Sequence, residues 1–344
     1  MASSNPPPAP LSAAFAAAFR RIAPASGLLR FDAFMALALY DPALGYYRRN
    51  RRRVGRARGA DFYTATSLGP LFGELVAAAA AGLLTGAGHA PAAHTFVEIG
   101  AEPDGGVLAG VPHPFAAVRH LRVGDDPTLA GPCVVFSNEL FDAQPIRRFV
   151  RRAAAWHELG VGLAPAGDAL VEADLGPAPT EVSTALPSPK ETPEGYHFDA
   201  PLAAAELAAS IARLPWHGLF LAFDYGKSFA ELGHAVPAGT ARAYFQHTQH
   251  NDLLARPGEQ DLTAHICWDW LVEALDAAGC ARPAVASQES FFVHHAAEAL
   301  DAALAAEGGR ANSPRKRALM HLLHPAQMGQ KFQVLHALKP AAGA

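Results

Sequence analysis

Three stretches of the chain finish in side chains able to bind or orient a ligand. Cys133 to Phe136 is an apolar, partly β-branched run that stops abruptly at Ser137, Asn138 and Glu139. Phe96 and Val97 lead in the same way into Glu98, Ile99 and Gly100, and Leu219 to Phe223 into Asp224, Tyr225 and Gly226. Apolar strands that each end in a carboxylate or an amide deliver polar groups to the carboxyl edge of a parallel sheet, where ligands of open α/β sheets bind. The pattern predicts one pocket lined by Glu98, Asn138, Glu139 and Asp224. Further along, His247, His250, Asp261 and His265 suggest a metal constellation. With 16 histidines in the chain and no confirming cysteine pair, hydrogen-bonding and substrate-orienting roles are favoured and no metal is expected. Gly226-Lys227-Ser228 is not a phosphate loop, because Leu221 stands where that motif requires glycine. No G-x-S-x-G elbow is present either.

The elements that must position these groups follow from composition and patterning. A chain of 344 residues, 50% hydrophobic and 17% charged, can bury a sizeable core. A formal charge of −4 gives no global pull toward nucleic acid or an anionic membrane. Cys133, Cys267 and Cys280 are too few and too scattered for a disulfide framework, and nothing approaches a membrane-spanning run. The cytoplasm of a bacterium is the expected location. Residues 1–10 form a Ser/Pro/Ala tail expected to be disordered. Residues 11–90 read as an N-terminal helical region. Its first helix carries Leu11, Phe15, Phe19 and Ile22 on one face and superficially resembles a transit peptide, but the apolar stripe continues through Phe31, Phe34 and Met35 as part of a fold. The arginines from Arg48 to Arg58 read either as an anion site or as a solvated loop. Thr64, Thr66 and Ser67 can cap a helix over residues 68–84.

After Glu98 the run Gly100-Ala101-Glu102-Pro103-Asp104-Gly105-Gly106 keeps only part of a nucleotide-binding glycine turn. Between Gly106 and Val134 there is room for one strand, near residues 117–123. A helix, strand, helix and strand would need about 50 residues, so the first nucleotide-binding half is expected to be shortened. Residues 151–198 are expected to be a β-rich insertion, with an irregular excursion over 165–196. A last strand is expected over 328–338. The core would then be 91–150 with 199–344.

In order along nearly the whole chain, several segments resemble one family. They are Leu39-Tyr40-Asp41-Pro42 with Gly45-Tyr46-Tyr47, Asp61-Phe62-Tyr63-Thr64 through Leu75, Asn138-Glu139-Leu140-Phe141-Asp142-Ala143-Gln144-Pro145, Asp224-Tyr225-Gly226, Pro257-Gly258-Glu259-Gln260-Asp261-Leu262-Thr263-Ala264-His265, and Met328-Gly329-Gln330-Lys331-Phe332. The family is the MidA-like (DUF185) class I S-adenosylmethionine-dependent methyltransferases, whose mitochondrial members are linked to complex I assembly and arginine methylation. The resemblance implies an α/β, Rossmann-like methyltransferase sheet with an N-terminal helical cover and a β-rich insertion. It implies S-adenosylmethionine as methyl donor and a protein side chain, arginine among the candidates, as acceptor. Asp61, Thr64, Glu98, Gly100, Gly105 and Gly106 would face the donor. Asn138, Glu139 and Asp142 would line the pocket between donor and acceptor, and Asp224, His247, His250 and Asp261 the substrate side. Methyl transfer is an in-line displacement, so the protein chiefly positions the reactants, and a carboxylate such as Glu139 can hold a guanidinium.

The family's donor loop has the form E-x-G-x-G-x-G, and Glu102, Pro103 and Asp104 depart from it. The acid that usually holds the donor's ribose hydroxyls at the end of the second strand has no clear counterpart, with Asp125 and Asp126 the nearest. Two function classes therefore stay open: a working protein methyltransferase with a remodelled donor site, and a donor-free descendant serving as a binding or assembly factor.

Overall fold

The structure, a computed structural model, describes residues 10–49, 69–101, 105–307 and 313–341. The chain forms two units, one of Met1–Arg51, Ala143–Ala203 and Lys227–His265, the other of Arg52–Asp142, Ala204–Gly226 and Ile266–Ala344.

The first unit begins with helix α1 (Ala13–Ile22), the two-residue strand β1 (Leu29–Arg30) and helix α2 (Phe31–Tyr40). Ser12 caps α1 by accepting the Phe15 N–H at 3.2 Å, and Phe15 and Phe19 face inward. Strands β5 (Arg147–Arg152) and β6 (Ala155–Leu163) form a hairpin through Ala153 and Ala154, whose φ values of 44° and 70° fit the two-residue turn that matches strand twist. β7 (Leu170–Pro177) and β1 pair with β6, and β8 (His197–Ala200) pairs with β5. The Arg148 guanidinium is buried here, donating to Asp199 Oδ1 and Glu172 Oε2, each at 2.9 Å. That pairing offsets the cost of burying a charge. Two short helices, α4 (Thr180–Ser183) and α6 (Phe229–His234), and a second sheet complete the unit. That sheet is β11 (Arg242–Phe245) flanked by β12 (Thr248–His250) and β13 (Asp261–Thr263).

The second unit is a six-stranded sheet built on β2 (Thr95–Ile99), β3 (Ala117–Leu121), β4 (Gly131–Asn138), β9 (Trp216–Asp224), β15 (Ala281–Ser287) and β16 (Gln333–Lys339). Its order is β15-β16-β9-β4-β2-β3, with β16 alone running against the others. The apolar runs alternate between faces, as the two-residue period of a strand dictates. Phe96, Val134, Phe136, Leu219, Leu221 and Phe223 pack on one side with α3 (Pro70–Gly86), α8 (Gln288–His295), α9 (Ala297–Glu307) and α10 (Pro314–Leu323). Val97, Cys133, Val135, Phe220 and Ala222 pack on the other with α5 (Leu202–Arg213) and α7 (Trp268–Ala277). The short strands β10 (Gly226–Lys227) and β14 (Ile266–Cys267) fall where the chain passes between units. No described helix is long and apolar enough to cross a membrane.

The α/β class and the shortened first half stand as expected. Among the described residues, β2 connects to β3 through turns at 107–110, without a helix, and a single strand lies between Gly106 and β4. Other expectations change. The helices of the expected N-terminal region are shared, α1 and α2 in the first unit and α3 in the second, and the first unit gathers 227–265 with 143–203. The excursion over 165–196 contains a paired strand, β7, and the last strand starts only at Gln333, after Pro325–Gly329 coil into one wide turn. Pro325 lacks the N–H that a strand would donate, which delays pairing.

Candidate active site

At the carboxyl edge of the second unit, β9 ends in Asp224, which is fully buried. Its carboxylate accepts the N–H groups of Phe141 and Tyr225, both at 2.8 Å, and those of Leu140 and Asp142. Burial pushes its pKa up to about 7, against the opposing pull of these four N–H groups. Asp224 therefore fastens the turn that follows β4. The expected substrate-facing role does not hold, because the carboxylate is turned back onto backbone.

The turn it fastens carries the residues that matter most. Glu139 sits at φ 53°, a left-handed conformation unfavourable for a side-chain-bearing residue, and its N–H donates to Phe223 O at 2.9 Å. Strain at such a position costs about 1–3 kcal/mol and tends to persist where the surroundings enforce it. Asn138 Nδ2 donates to Glu139 Oε1 at 3.0 Å, while Asn138 Oδ1 is buried and finds no partner among the described residues. An orphaned acceptor beside a carboxylate suits a ligand rich in N–H donors. Asp142, three residues on, is buried.

On β2, Glu98 is buried and its Oε2 accepts the Val107 N–H at 2.7 Å, closing the loop that follows the strand. Gly100 adopts φ 84° and donates its N–H to Leu121 O at 2.8 Å. Gly105 adopts φ 123°. At Gly106 a Cβ would lie 2.1 Å from Glu98 Oε2 and 2.2 Å from His120 Nε2, so only glycine fits. His120 Nε2 stands 3.8 Å from Glu98 Oε2. The chain order places β3 and β4 on opposite sides of β2, and such a reversal opens a crevice at the strand ends. Gly100, Gly105 and Gly106 thus lie with the buried Glu98 carboxylate at that crevice. The expected donor residues Asp61 and Thr64 lie outside the described residues.

In the first unit, Asp261 is buried and its Oδ1 accepts the Tyr47 hydroxyl and the Leu262 N–H, each at 2.9 Å. Tyr47 stacks on Tyr40 with ring centroids 5.5 Å apart, and the Tyr40 hydroxyl donates to Ala143 O at 2.9 Å. At Gly258 a Cβ would lie 2.4 Å from Leu44 O, and Arg49 approaches Glu259 at 3.7 Å. The Gly45-Tyr46-Tyr47 and Pro257-to-Asp261 motifs, remote in sequence, thus interlock. His247 is exposed at the tip of the β11–β12 hairpin, with Gln246 and His247 at φ 48° and 63°. The pairing of Tyr244 with Asp261 brings His247 and Asp261 to the same end of one small sheet. His250 is half-buried, and that burial lowers its pKa. Among the described residues no three His, Cys, Asp or Glu side chains group to hold a metal ion.

Sequence reasoning did not single out His120 or the bond from Tyr47 to Asp261. Both depend on strand register and long-range packing, although the paired tyrosines after Gly45 were a usable signal.

Residues 107–285, just over half of the 344, match the family described as "Putative S-adenosyl-L-methionine-dependent methyltransferase". The chain is similar to a crystal structure of a COG1565 superfamily member from Burkholderia thailandensis bound to S-adenosyl-homocysteine. The two are 29% identical with a TM-score of 0.83, covering 96% of this chain and 93% of the other. It is also 29% identical over 219 residues to protein arginine methyltransferase NDUFAF7, mitochondrial, of Danio rerio, and 28% identical over 149 residues to that of Rattus norvegicus. The chain spans 48% and 31% of the lengths of these two curated relatives.

Proposed function

The chain belongs to the MidA-like (DUF185) family of S-adenosyl-L-methionine-dependent methyltransferases, and from that premise we propose that its methyl acceptor is a protein side chain, the arginine guanidinium in particular. The observation that carries this reading is the Asn138–Glu139 pair. One buried amide oxygen has no partner among the described residues, and a carboxylate is held beside it on strained backbone. A guanidinium offers five N–H donors in a planar fork, which a carboxylate and an amide oxygen can share. The names of the curated relatives point to the same acceptor.

Bound S-adenosyl-L-methionine supplies an electrophilic methyl group on a sulfonium. On the donor side, Glu98, Gly100, Gly105 and Gly106 form the cradle. On the acceptor side, Asn138 Oδ1 and the Glu139 carboxylate orient the guanidinium, and Glu139 accepts the N–H whose proton must leave as the new C–N bond forms. Asp224 acts indirectly, by holding the 140–142 backbone from which this pair projects. Asp142, in the same turn, is proposed to serve acceptor recognition; Asp261 and His247 belong to the first unit.

The test is incubation of the full chain with methyl-labelled S-adenosyl-L-methionine and a mixed protein pool, followed by acid hydrolysis and amino-acid analysis. Label in methylarginines, lost in Glu139→Gln, is the expected result. Label in another residue type, or transfer unaffected by Glu139→Gln, would overturn the acceptor assignment.

A further inference from the structure

We infer that the cavity between α5 and α7, on one face of the six-stranded sheet, is a binding site for a small aliphatic carboxylic acid whose carboxylate is held by Arg213 and Lys339.

The cavity follows from residue size. α5 and α7 cover the same face of the sheet. The residues they present to the gap are Ala209 and Ala212 from α5 and Ala274 and Ala277 from α7, with Ala278 just beyond. Neighbouring helices stand about 8–10 Å apart, and methyl groups are too short to fill the space between them. A cavity of about 440 Å³ remains, within the range of about 300–1,000 Å³ for small-molecule sites. Arg213, the last residue of α5, and Lys339, the last of β16, complete the lining. Among the described residues no carboxylate lines it.

The two cations give the cavity its chemical preference. Arg213 is exposed and makes no hydrogen bond or ion pair among the described residues. Lys339 Nζ donates to Leu214 O at 2.5 Å and lies 4.9 Å from the centroid of the Trp216 ring, so an ammonium group with three N–H donors has further donors to offer. Burial lowers the Lys339 pKa, a cost to the charged form that a bound anion would relieve. Helix C-termini disfavour anions through their free carbonyls, but several of those carbonyls are engaged here. Ile211 O accepts the Trp216 indole N–H at 2.7 Å, and Leu275 O and Asp276 O accept the N–H groups of Cys280 and Gly279 at 3.0 and 2.9 Å. A carboxylate accepts only, and it can be shared between a guanidinium and an ammonium group. The alanine methyls favour hydrocarbon behind it.

This site is separate from the acidic edge. Lys339 pairs with Gly218 and Gln333 with Asp224, which puts about 20 Å of strand between the two. Its ligand therefore requires neither methyl donor nor acceptor in place.

The experiment is methyl NMR of the full chain, isotope-labelled at its alanine methyl groups, titrated with hexanoate, hexanol and inorganic phosphate. Saturable shifts of the Ala209, Ala212, Ala274 and Ala277 methyls with hexanoate are expected. Hexanol should bind about ten-fold more weakly, the worth of one charge-assisted hydrogen bond. Arg213→Gln should bring hexanoate down toward hexanol and leave hexanol unchanged, and Ala274→Leu, which fills the cavity, should abolish both. Circular dichroism melting checks the fold of each variant, and the exposed Arg213 position carries the test if Ala274→Leu does not fold. The assignment would be overturned by absence of saturable shifts, by equal affinity for hexanoate and hexanol, by unchanged hexanoate affinity in Arg213→Gln, by survival of binding in a folded Ala274→Leu, or by phosphate binding as tightly as hexanoate.

Discussion

Replacing Glu139 separates backbone strain from side-chain chemistry. Glu139→Gly and Glu139→Ala both delete the carboxylate and its hydrogen bond from Asn138 Nδ2, so that loss cancels between them. They differ in what the φ of 53° costs. An L residue in the left-handed region is disfavoured by about 1–2 kcal/mol, whereas glycine adopts it freely. Glycine in turn loses roughly 0.5–1 kcal/mol more conformational entropy on folding than alanine. The balance leaves the glycine variant more stable than the alanine variant by about 0.5–1 kcal/mol. Urea unfolding monitored by fluorescence resolves this as a higher midpoint at equal slope. Methyl transfer should be lost in both, because neither retains the carboxylate. An alanine variant as stable as the glycine variant would refute the idea that the fold holds this residue under strain for the sake of its side chain.

Asp224→Ala should be among the most damaging single changes in the second unit. It strands four buried N–H groups, at about 1 kcal/mol each, for about 4 kcal/mol in a urea titration. Asp224→Asn, retaining one acceptor oxygen, should lose roughly half as much, and a loss below about 1 kcal/mol in the alanine variant would contradict the bonding described. Acid should weaken the first unit through His265, whose pKa burial lowers to about 4 from 6.5. The unfolded chain takes up this proton first as pH falls, so His265 contributes stability above pH 6.5 that is progressively lost down to about 4. The stability of wild type relative to His265→Gln should fall by about 3 kcal/mol over that window. A difference independent of pH would show that the imidazole is solvated.

Much of the scaffold was legible because its signals are local. The runs ending at Glu98, Asn138 and Asp224 are apolar throughout, as strands covered on both faces must be, and the short spacing from Gly106 to Val134 leaves no room for a further helix–strand unit. Helix α8 escaped notice because its Phe291, Phe292 and Val293 are consecutive and flanked by polar residues, a pattern without helical period. Strand β7 escaped because its exposed positions carry Glu172 and little β-branched surface. At the site, sequence locates carboxylates at strand ends but cannot say which way each one turns. Asp224 turns inward to backbone, Asp261 is bound by a tyrosine more than two hundred residues away, and His120 meets Glu98 only through interstrand register. Each outcome is decided by packing between segments remote in sequence.

For methyl transfer to occur, the second unit must hold its methyl donor despite the altered loop after β2. Calorimetric titration of the full chain with S-adenosylhomocysteine measures this directly. Saturable binding in the micromolar range is the predicted result. Absence of heat at millimolar ligand would contradict it and leave the acidic edge to a protein that binds without methylating.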